Sequence, residues 1–374
     1  MEEERMMENK LEKARKAAGQ FQMDGEVADI QSYGNGHIND TYLVHVKNGE
    51  NVKRMILQGI NTDIFQDVDG LMENIQKVTS FLREEIVKEG GDPERETLNV
   101  VPTLEGKSYF KAEDGRCYRI YKFIEGAVTY DAVRTPEDFY ESGKAFGNFQ
   151  SKLAAFPAEE LHETIPDFHN TPVRFARFEE VVKEDKLGRA KDVQEEINFV
   201  LSRKALAEEL AGLLKAGKLP LRVTHNDTKL NNIMLDEKTG KAVCIIDLDT
   251  VMPGLSVNDF GDSIRFGAST GAEDERDLTK VECSMELFEL YTKGFVEGCK
   301  GRLTEAEMDA LPLGAMTMTY ECGMRFLTDY LEGDTYFRIH REGHNLDRAR
   351  TQFKLVADME QKLDTMKAIV AKYR

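Results

Sequence analysis

A short segment carrying Asp227, Asn232 and Asp247 constrains this chain more than any other part of its sequence. It reads HNDTKLNN at 225–232, and the apolar run AVCII at 242–246 ends directly before Asp247. A loop can place an Asp and an Asn at this spacing in one cleft, and a hairpin can fold the next Asp back over them. Phosphoryl transfer needs one carboxylate to orient the attacking hydroxyl and accept its proton. It also needs an amide oxygen and a second carboxylate to hold Mg²⁺ on the phosphates. The pattern therefore predicts Asp227 as a catalytic base, with Asn232 and Asp247 as metal ligands.

A second motif nearby competes for the metal role. The tripeptide DFG at 259–261 has the spelling of the metal motif of protein kinases. Asp247 has the better spacing from Asp227 and ends a predicted strand, as a ligand on a hairpin should. We therefore predict an N-cap or loop-bracing role for Asp259 and Asp262.

Two further polar residues belong to the same region. His225 is predicted to support the loop by hydrogen bonding rather than to act in catalysis. Asp249 lies two residues after Asp247, so on an extended strand both side chains face one side. A further metal ligand and a brace for the following loop both fit Asp249.

The order of the predicted elements indicates two lobes. At 374 residues the chain exceeds the prior of about 150 residues per domain. Before about residue 124, strand-like segments and an Asn48-Gly49 turn signal predict an antiparallel sheet with one helix. From there on the apolar spacing is mainly helical, interrupted by one predicted hairpin. We predict an α+β fold with a β-rich, nucleotide-binding N-terminal lobe at 1–124 and a larger helical lobe at 125–374.

Composition excludes several classes of partner. A formal net charge of −18 argues against nucleic-acid binding, because phosphate backbones demand a basic surface. No stretch approaches the roughly 18 uncharged apolar residues that a membrane span needs. The five cysteines show no spacing typical of disulfides or zinc sites, so we expect a cytoplasmic protein.

Six segments together resemble a known family. They read YGNGHINDTY at 33–42, FIEGA at 123–127, LHETIPDFHNTP at 161–172, THNDTKLNNIMLD at 224–236, IIDLDTVMPG at 245–254 and DFGDSIRF at 259–266. The sequence resembles the aminoglycoside phosphotransferase-like superfamily, which shares the two-lobed protein-kinase-like fold, and within it the N-acetylhexosamine 1-kinases. The resemblance implies phosphorylation of an N-acetylhexosamine at its anomeric C1 hydroxyl with ATP and Mg²⁺. It implies the same roles for Asp227, Asn232 and Asp247.

The remaining site residues are predicted with the help of that resemblance. Glycines let a backbone approach phosphates closely, so Gly34, Asn35 and Gly36 are predicted to bind the nucleotide. Glu125 lies in the candidate interlobe connection and is included with them. For the sugar, the resemblance suggests His37, Arg325 and Tyr336, although an ion pair within the fold fits Arg325 equally.

One departure from the kinase pattern keeps other functions open. Gln58 stands near the position where a strand Lys normally contacts the α- and β-phosphates. Glu73, on the following predicted helix, would be the usual partner of that Lys, and a solvent-facing surface role fits it equally. Gln58 leaves the phosphate contact unassigned and gives some support to a non-catalytic pseudo-kinase. A kinase of the same fold acting on choline, homoserine or an aminoglycoside is the other alternative. The sequence does not give the oligomeric state.

Overall fold

The computed structural model describes residues 2–34 and 38–374. The described chain forms two compact units. The first, here called the sheet unit, runs up to Ala127 and includes Leu161–Ile165. The second, the helical unit, comprises Val128–Glu160 and Pro166–Arg374. The sequence-based division at 124/125 did not anticipate that the short piece at 161–165 belongs to the sheet unit.

The described chain contains helices and strands with the following bounds. The helices are α1 Glu2–Ala18, α2 Val68–Lys88, α3 Pro136–Lys152, α4 Thr171–Glu184, α5 Gln194–Leu201, α6 Lys204–Lys215, α7 Ser256–Gly267, α8 Met285–Cys299, α9 Glu305–Glu332, α10 His344–Gln361 and α11 Leu363–Lys372. The strands are β1 Glu26–Ser32, β2 Asp40–Asn48, β3 Asn51–Ile60, β4 Val100–Val101, β5 Phe110–Lys111, β6 Cys117–Lys122, β7 Ala127–Val128, β8 Arg222–Thr224, β9 Ile233–Asp236, β10 Ala242–Ile245 and β11 Met252–Gly254.

The sheet unit is built on an antiparallel sheet in the order β1-β2-β3-β6-β4, with β5 also paired to β6. The predicted hairpin at Asn48-Gly49 is confirmed, because Asn48 pairs with Asn51 across a turn in which Gly49 has φ 62°. Val44 and Leu57 are fully buried in one apolar cluster with Ala14 of α1. Burying this face together with the amphipathic helix α1 gives the unit its core.

The helical unit carries the predicted small hairpin between its helices. Strand β9 pairs with β10, and β8 pairs with β11, both antiparallel. The loop between β8 and β9 holds the HNDTKLNN segment, and the residue after Ile245 and Ile246 is Asp247. The sequence therefore placed this segment correctly on a loop beside a hairpin.

Helices α7 and α9 approach each other unusually closely. A Cβ atom built on Gly261 of α7 would lie 2.3 Å from the carbonyl oxygen of Gly314 on α9. Only glycine leaves room for this backbone contact. The approach matters for the site, since α7 carries Asp259 and Asp262 while α9 carries Glu321 and Arg325.

The predicted fold class is confirmed: the chain has an antiparallel sheet lobe and a mainly helical lobe, in the α+β class. Across the part of the chain that the structure describes, no helix has both the length and the apolar character that crossing a membrane requires.

Candidate active site

The segment His225–Thr228 is held in place by side chains rather than by a regular ladder. It follows strand β8, and Asn226 adopts a left-handed backbone with φ 64°, which Asn tolerates better than most residues. All eight backbone N–H and C=O groups of these four residues are hydrogen bonded to side chains. The partners are Asp259, Thr250, His169, His225, Asn232, Asp262 and Ser263. This arrangement fixes the backbone that presents Asp227.

Asp227 lies between an amide and a cation. The amide nitrogen Nδ2 of Asn232 donates to Asp227 Oδ2 at 3.0 Å and to the Asp227 carbonyl at 2.8 Å. The ammonium of Lys229 lies 3.0 Å from Asp227 Oδ1. Burial lowers the pKa of Lys229, but the carboxylates of Asp227, Asp262 and Asp247 outweigh it and the pKa is raised. Lys229 is therefore a fixed positive charge beside the predicted base.

The structure brings Asp247 next to Asn232, as the hairpin prediction requires. The N–H of Ile246 donates to the Asn232 carbonyl at 2.9 Å, so the next residue, Asp247, leaves the hairpin beside Asn232. Asp247 is exposed and has a left-handed backbone with φ 58°.

The donor chemistry of this pair fits a magnesium ion. The Asn232 amide nitrogen is committed to Asp227, which turns its oxygen Oδ1 away from that residue. One amide oxygen and one carboxylate suit Mg²⁺, which keeps several waters and takes its other ligands from phosphates. Among the described residues, no three His, Cys, Asp or Glu side chains are arranged to hold a metal ion. The assignment of Asn232 and Asp247 as metal ligands stays a prediction.

Asp259 and Asp262 brace the loop, as predicted. Asp259 is fully buried, and its carboxylate accepts from the N–H groups of His225 at 2.9 Å and Asn226 at 2.8 Å. Asp262 accepts from the N–H of Thr228 at 3.0 Å. The alternative of an N-cap role for Asp259 was wrong, because Ser256 already begins the helix and Asp259 lies inside its first turn.

The predicted supporting role of His225 is also confirmed. Its Nε2 lies 2.9 Å from the Ile246 carbonyl, and its Nδ1 accepts from the N–H of Asp227 at 3.3 Å. This single ring therefore joins the segment His225–Thr228, here called the base loop, to the end of the strand before Asp247. Asp249 is buried, and both alternatives for Asp249 stay open.

A histidine that the motif analysis did not single out touches the same loop. His169 precedes helix α4, and its Nε2 lies 3.2 Å from the carbonyl oxygen of Asn226. Its Nδ1 lies 2.8 Å from Glu321 of α9. Glu321 also accepts from the hydroxyl of Thr171 at 2.6 Å. His169 and Thr171 both belong to LHETIPDFHNTP, so the structure gives that segment a direct connection to the base loop.

Arg325 and Tyr336, predicted for the sugar, lie close to each other. The Arg325 guanidinium carbon is 5.7 Å from the Tyr336 ring centroid, 5.5 Å from that of Phe168 and 5.4 Å from that of Phe337. Tyr336 is 61% exposed. Among the side chains that the structure describes, no ion pair joins Arg325 to a carboxylate, although its charge contributes to the lowered pKa of Glu321. Arg325 is instead a cation among aromatic rings.

Two residues that sequence reasoning missed support this aromatic cluster. The carboxylate of Asp329 accepts from the N–H groups of Tyr336 at 2.8 Å and Phe337 at 2.9 Å, which fixes the loop that carries both rings. Arg174 donates to the Phe168 carbonyl at 3.3 Å. Burial and the nearby Arg325 charge lower the pKa of Arg174. No sequence signal identified either residue, because their partners are distant along the chain.

The nucleotide-binding residues predicted in the sheet unit are only partly described. Gly34 follows β1 with φ 74°, a conformation that favours glycine. Asn35, Gly36 and His37 lie outside the described residues. The carboxylate of Glu125 accepts from Nε of Arg54 at 3.0 Å, so its side chain is engaged within the unit. These assignments stay predictions.

The departure at Gln58 has a structural counterpart. Gln58 pairs across the sheet with Arg119, and its Oε1 accepts from Arg119 Nη2 at 2.8 Å and Nε at 3.1 Å. Arg119 is 1% exposed. Glu73 of α2 contacts Lys77 at 2.8 Å and His162 at 2.9 Å. Gln58, predicted to stand near the position of a phosphate-contacting Lys, is therefore paired with a buried Arg.

Comparison with protein families decides the class of this chain. The model of the family described as "Phosphotransferase enzyme family" (APH) matches residues 29–282, more than half of the chain. The chain belongs to this phosphotransferase family. The match covers both the sheet of the first unit and the loop that carries Asp227.

Solved structures share the fold of this phosphotransferase at low sequence identity. An aminoglycoside phosphotransferase from Alicyclobacillus acidocaldarius superposes with TM-score 0.61 at 13% identity, covering 96% of each chain. A microcompartment-associated aminopropanol kinase gives TM-score 0.59 at 17% identity, covering 94% of this chain and 98% of its own. A spectinomycin phosphotransferase solved with ADP and spectinomycin gives 0.57 at 12% identity, covering 96% and 98%. The protein-kinase-like fold predicted from the sequence is thereby confirmed.

Proposed function

We propose that this phosphotransferase transfers the γ-phosphoryl group of ATP to the anomeric C1 hydroxyl of an N-acetylhexosamine, GlcNAc or GalNAc. The observation that carries the proposal is the presentation of Asp227. Every backbone polar group from His225 to Thr228 is bonded, and Asp227 itself is held between Asn232 and Lys229. Catalysis of phosphoryl transfer depends mainly on such positioning and on electrostatic stabilisation.

In the proposed reaction Asp227 accepts the proton of the acceptor hydroxyl. The hydroxyl oxygen forms a bond to the γ-phosphorus, the bond from that phosphorus to the bridging oxygen breaks, and ADP leaves with the electron pair. Lys229, whose ammonium lies 3.0 Å from Asp227, places a positive charge where the transferring group gathers negative charge.

Asn232 and Asp247 would hold the magnesium ion. When bound, the ion would neutralise part of the phosphate charge, a task that an acidic chain of net charge −18 cannot leave to its general surface. The ligand atoms would be the oxygen Oδ1 of Asn232 and the carboxylate of Asp247, an exposed residue.

The environment of Arg325 supports a sugar over an amino alcohol. Choline-like acceptors carry an ammonium, and ammonium groups are bound by aromatic cages. Here the cluster of Phe168, Tyr336 and Phe337 already surrounds the Arg325 guanidinium. A cationic acceptor placed there would meet a like charge, whereas sugar hydroxyls and an acetamide oxygen accept hydrogen bonds from Arg.

ADP release measured with a panel of acceptors tests the proposal. We expect turnover of GlcNAc or GalNAc and none of the 1-O-methyl glycoside, in which the anomeric oxygen is blocked. Asp227→Asn should lower kcat about 10³-fold or more with nearly unchanged ATP affinity, because it removes the proton acceptor while keeping the side-chain size.

The other outcomes identify the competing functions. Phosphorylation of the 1-O-methyl sugar would move the transfer to another hydroxyl. Faster turnover of choline, aminopropanol, homoserine or an aminoglycoside would show that the protein is a kinase of the same fold with that acceptor instead of a sugar. Binding of ATP without ADP release for any acceptor would indicate a pseudo-kinase.

A further inference from the structure

We propose that His169 is a positioning residue for the catalytic base: held as an imidazolium between Glu321 and the carbonyl of Asn226, it fixes the backbone that presents Asp227. The proposal rests on the proposed role of Asp227. It gives a function to the DFHNTP segment, which the reaction described above does not use. His169 touches no substrate in this proposal and acts through the loop.

Both ring nitrogens of His169 face hydrogen-bond acceptors. Nδ1 lies 2.8 Å from Glu321 Oε1, and Nε2 lies 3.2 Å from the Asn226 carbonyl oxygen. A neutral imidazole has one N–H, so its other nitrogen would direct a lone pair at an acceptor. Only the doubly protonated ring satisfies both contacts. His225 offers a contrast within the same loop, because its Nδ1 accepts from the Asp227 N–H and its Nε2 donates to the Ile246 carbonyl.

The second acceptor, Glu321, is held as a carboxylate. It is buried on α9 with its side chain 1% exposed, and Thr171 donates to its other oxygen at 2.6 Å. Burial raises the pKa of Glu321, but the His169 charge and Arg325 outweigh it, and the pKa lies below the ordinary value. A buried carboxylate of this kind demands a donor from His169.

The charges around the ring favour the imidazolium on balance. Burial lowers the pKa of His169, and so does Arg325 on α9. Glu321 on α9 and Asp262 on α7 raise it, and the result is a pKa above the usual 6.5. A raised pKa means that the charged contact is present below pH 6.5 and is lost as the pH rises through the raised pKa.

The carbonyl that His169 holds is a sensitive point of the loop. Asn226 directly precedes Asp227 and has φ 64°, a conformation that persists only where its surroundings enforce it. His169 is the partner of its C=O, while Asp259 is the partner of its N–H. Loss of the His169 contact therefore leaves the peptide unit next to the base held through the Asp227 N–H, by His225, and no longer through the Asn226 carbonyl. A displacement of about 1 Å at a reacting group can cost about 10²-fold in rate.

Two substitutions separate the charge from the contact. His169→Gln has one amide donor group and one acceptor oxygen, so it cannot satisfy both Glu321 and the Asn226 carbonyl with the geometry of the ring. Glu321→Gln can donate to Nδ1, which lets a neutral His169 keep its Nε2–H on the Asn226 carbonyl. The second variant removes the need for the imidazolium while leaving the contact to the loop.

The experiment combines kinetics and NMR on the full-length protein. With GlcNAc or GalNAc as acceptor, His169→Gln should lower kcat about 10- to 100-fold with less than about threefold change in the KM for ATP. Wild-type kcat should also fall on the alkaline side of the pH profile. Glu321→Gln should keep more of its kcat than His169→Gln and lose this alkaline fall. His45→Gln, on strand β2 of the sheet unit, is the matched control.

Selective ¹³C labelling of histidine reads the protonation state directly. The His169 signal, identified by its loss in His169→Gln or its shift in Glu321→Gln, should be that of an imidazolium at pH 7. It should be neutral at pH 7 in Glu321→Gln.

A neutral signal in the wild-type protein would overturn the proposal even if His169→Gln does not fold or no acceptor is turned over. A folded His169→Gln with kcat within about twofold of wild type would make the contact purely structural. If Asp227→Asn also keeps its activity, the assignment of the base fails instead, and the NMR result still decides the state of His169.

Discussion

Asp247 and Asp259 were both candidates for the metal role from the sequence, and the two residues have different environments in the structure. Asp259 is fully buried, and its oxygens accept from His225 N–H, Asn226 N–H and the amide of Gln150. Its oxygens are thus already hydrogen bonded within the protein. Asp247 is exposed at the end of a hairpin, with φ 58°. Of these two carboxylates, only that of Asp247 belongs to an exposed residue.

Replacing each of these aspartates by asparagine should affect a different property, the magnesium requirement for Asp247 and the stability for Asp259. Asp247→Asn retains a residue that tolerates the left-handed backbone but removes the charge, so it should raise the Mg²⁺ concentration for half-maximal activity about tenfold or more. Asp259→Asn has a single acceptor oxygen for two backbone N–H groups, and it should lower the free energy of unfolding by about 2–4 kcal/mol. Magnesium titrations of ADP release and urea unfolding of both variants provide the measurements.

The comparison has a clear contrary outcome. A magnesium requirement that shifts in Asp259→Asn and stays unchanged in Asp247→Asn would mean that the DFG spelling at 259–261 marks the metal site. The stability measurement distinguishes that result from simple loss of folded protein.

At the scale of secondary-structure elements, the packing of α7 on α9 sets the distance between two groups of site residues. Helix α7 carries Asp259 and Asp262, which hold the base loop, and α9 carries Glu321 and Arg325. The two helices meet where Gly261 faces the backbone of Gly314. A side chain at this contact would force the helices apart and displace both groups.

Gly261→Ala should therefore destabilise the protein by about 1–3 kcal/mol or more, the range for overpacked cores. Its Cβ would lie 2.3 Å from the Gly314 carbonyl oxygen, and backbone cannot move aside as a flexible side chain can. Gly212→Ala is the matched control, because this helical glycine of α6 has open space around it. The control should stabilise slightly, since alanine is the better helix former. Urea unfolding of both variants is the measurement, and equal midpoints would show that α7 and α9 can separate without cost.

Local patterns determined which elements and site residues the sequence could predict. The Asn48-Gly49 turn, the hairpin before Asp247 and the spacing of Asp227 and Asn232 are short-range features, and the structure contains each of them. The role of His169 depends on Asn226 and Glu321, which lie 57 and 152 residues away in the chain. No periodicity or motif encodes such contacts, because they arise only when α4, α7 and α9 have packed.

At the scale of the whole molecule, an acidic chain must keep its buried carboxylates paired. Glu307 is an example remote from the base, at the start of α9. Its oxygens accept from Arg222 at 2.8 and 2.6 Å and from Ser256 at 2.7 Å. Arg222 begins strand β8, which leads into the base loop. The pair therefore connects the strand before the segment that carries Asp227 to the helix that carries Glu321 and Arg325.

The pairing of Glu307 predicts a specific acid sensitivity. Burial raises the pKa of Glu307, but the hydrogen bonds from Arg222, the Thr304 N–H and Ser256 outweigh it and the pKa is lowered. A carboxylate whose folded pKa lies below the unfolded value of about 4.3 stabilises the fold above that value. This contribution is lost as the pH falls through the lowered pKa. The free energy of unfolding should therefore decrease below about pH 4.3.

Glu307→Gln tests this linkage, with Glu209→Gln on the exposed face of α6 as the control. At pH 6 the Glu307 variant should lose about 3–5 kcal/mol of stability, because Arg222 keeps its buried charge without a carboxylate partner. Between pH 6 and pH 3.5 its free energy of unfolding should then fall less than that of the wild type, since the group that binds the proton is gone. The Glu209 variant should follow the wild type at both pH values. Urea unfolding of the wild type and the two variants at both pH values gives the free energies of unfolding to be compared. An acid dependence in Glu307→Gln as steep as in the wild type would show that other carboxylates dominate the acid response of this fold.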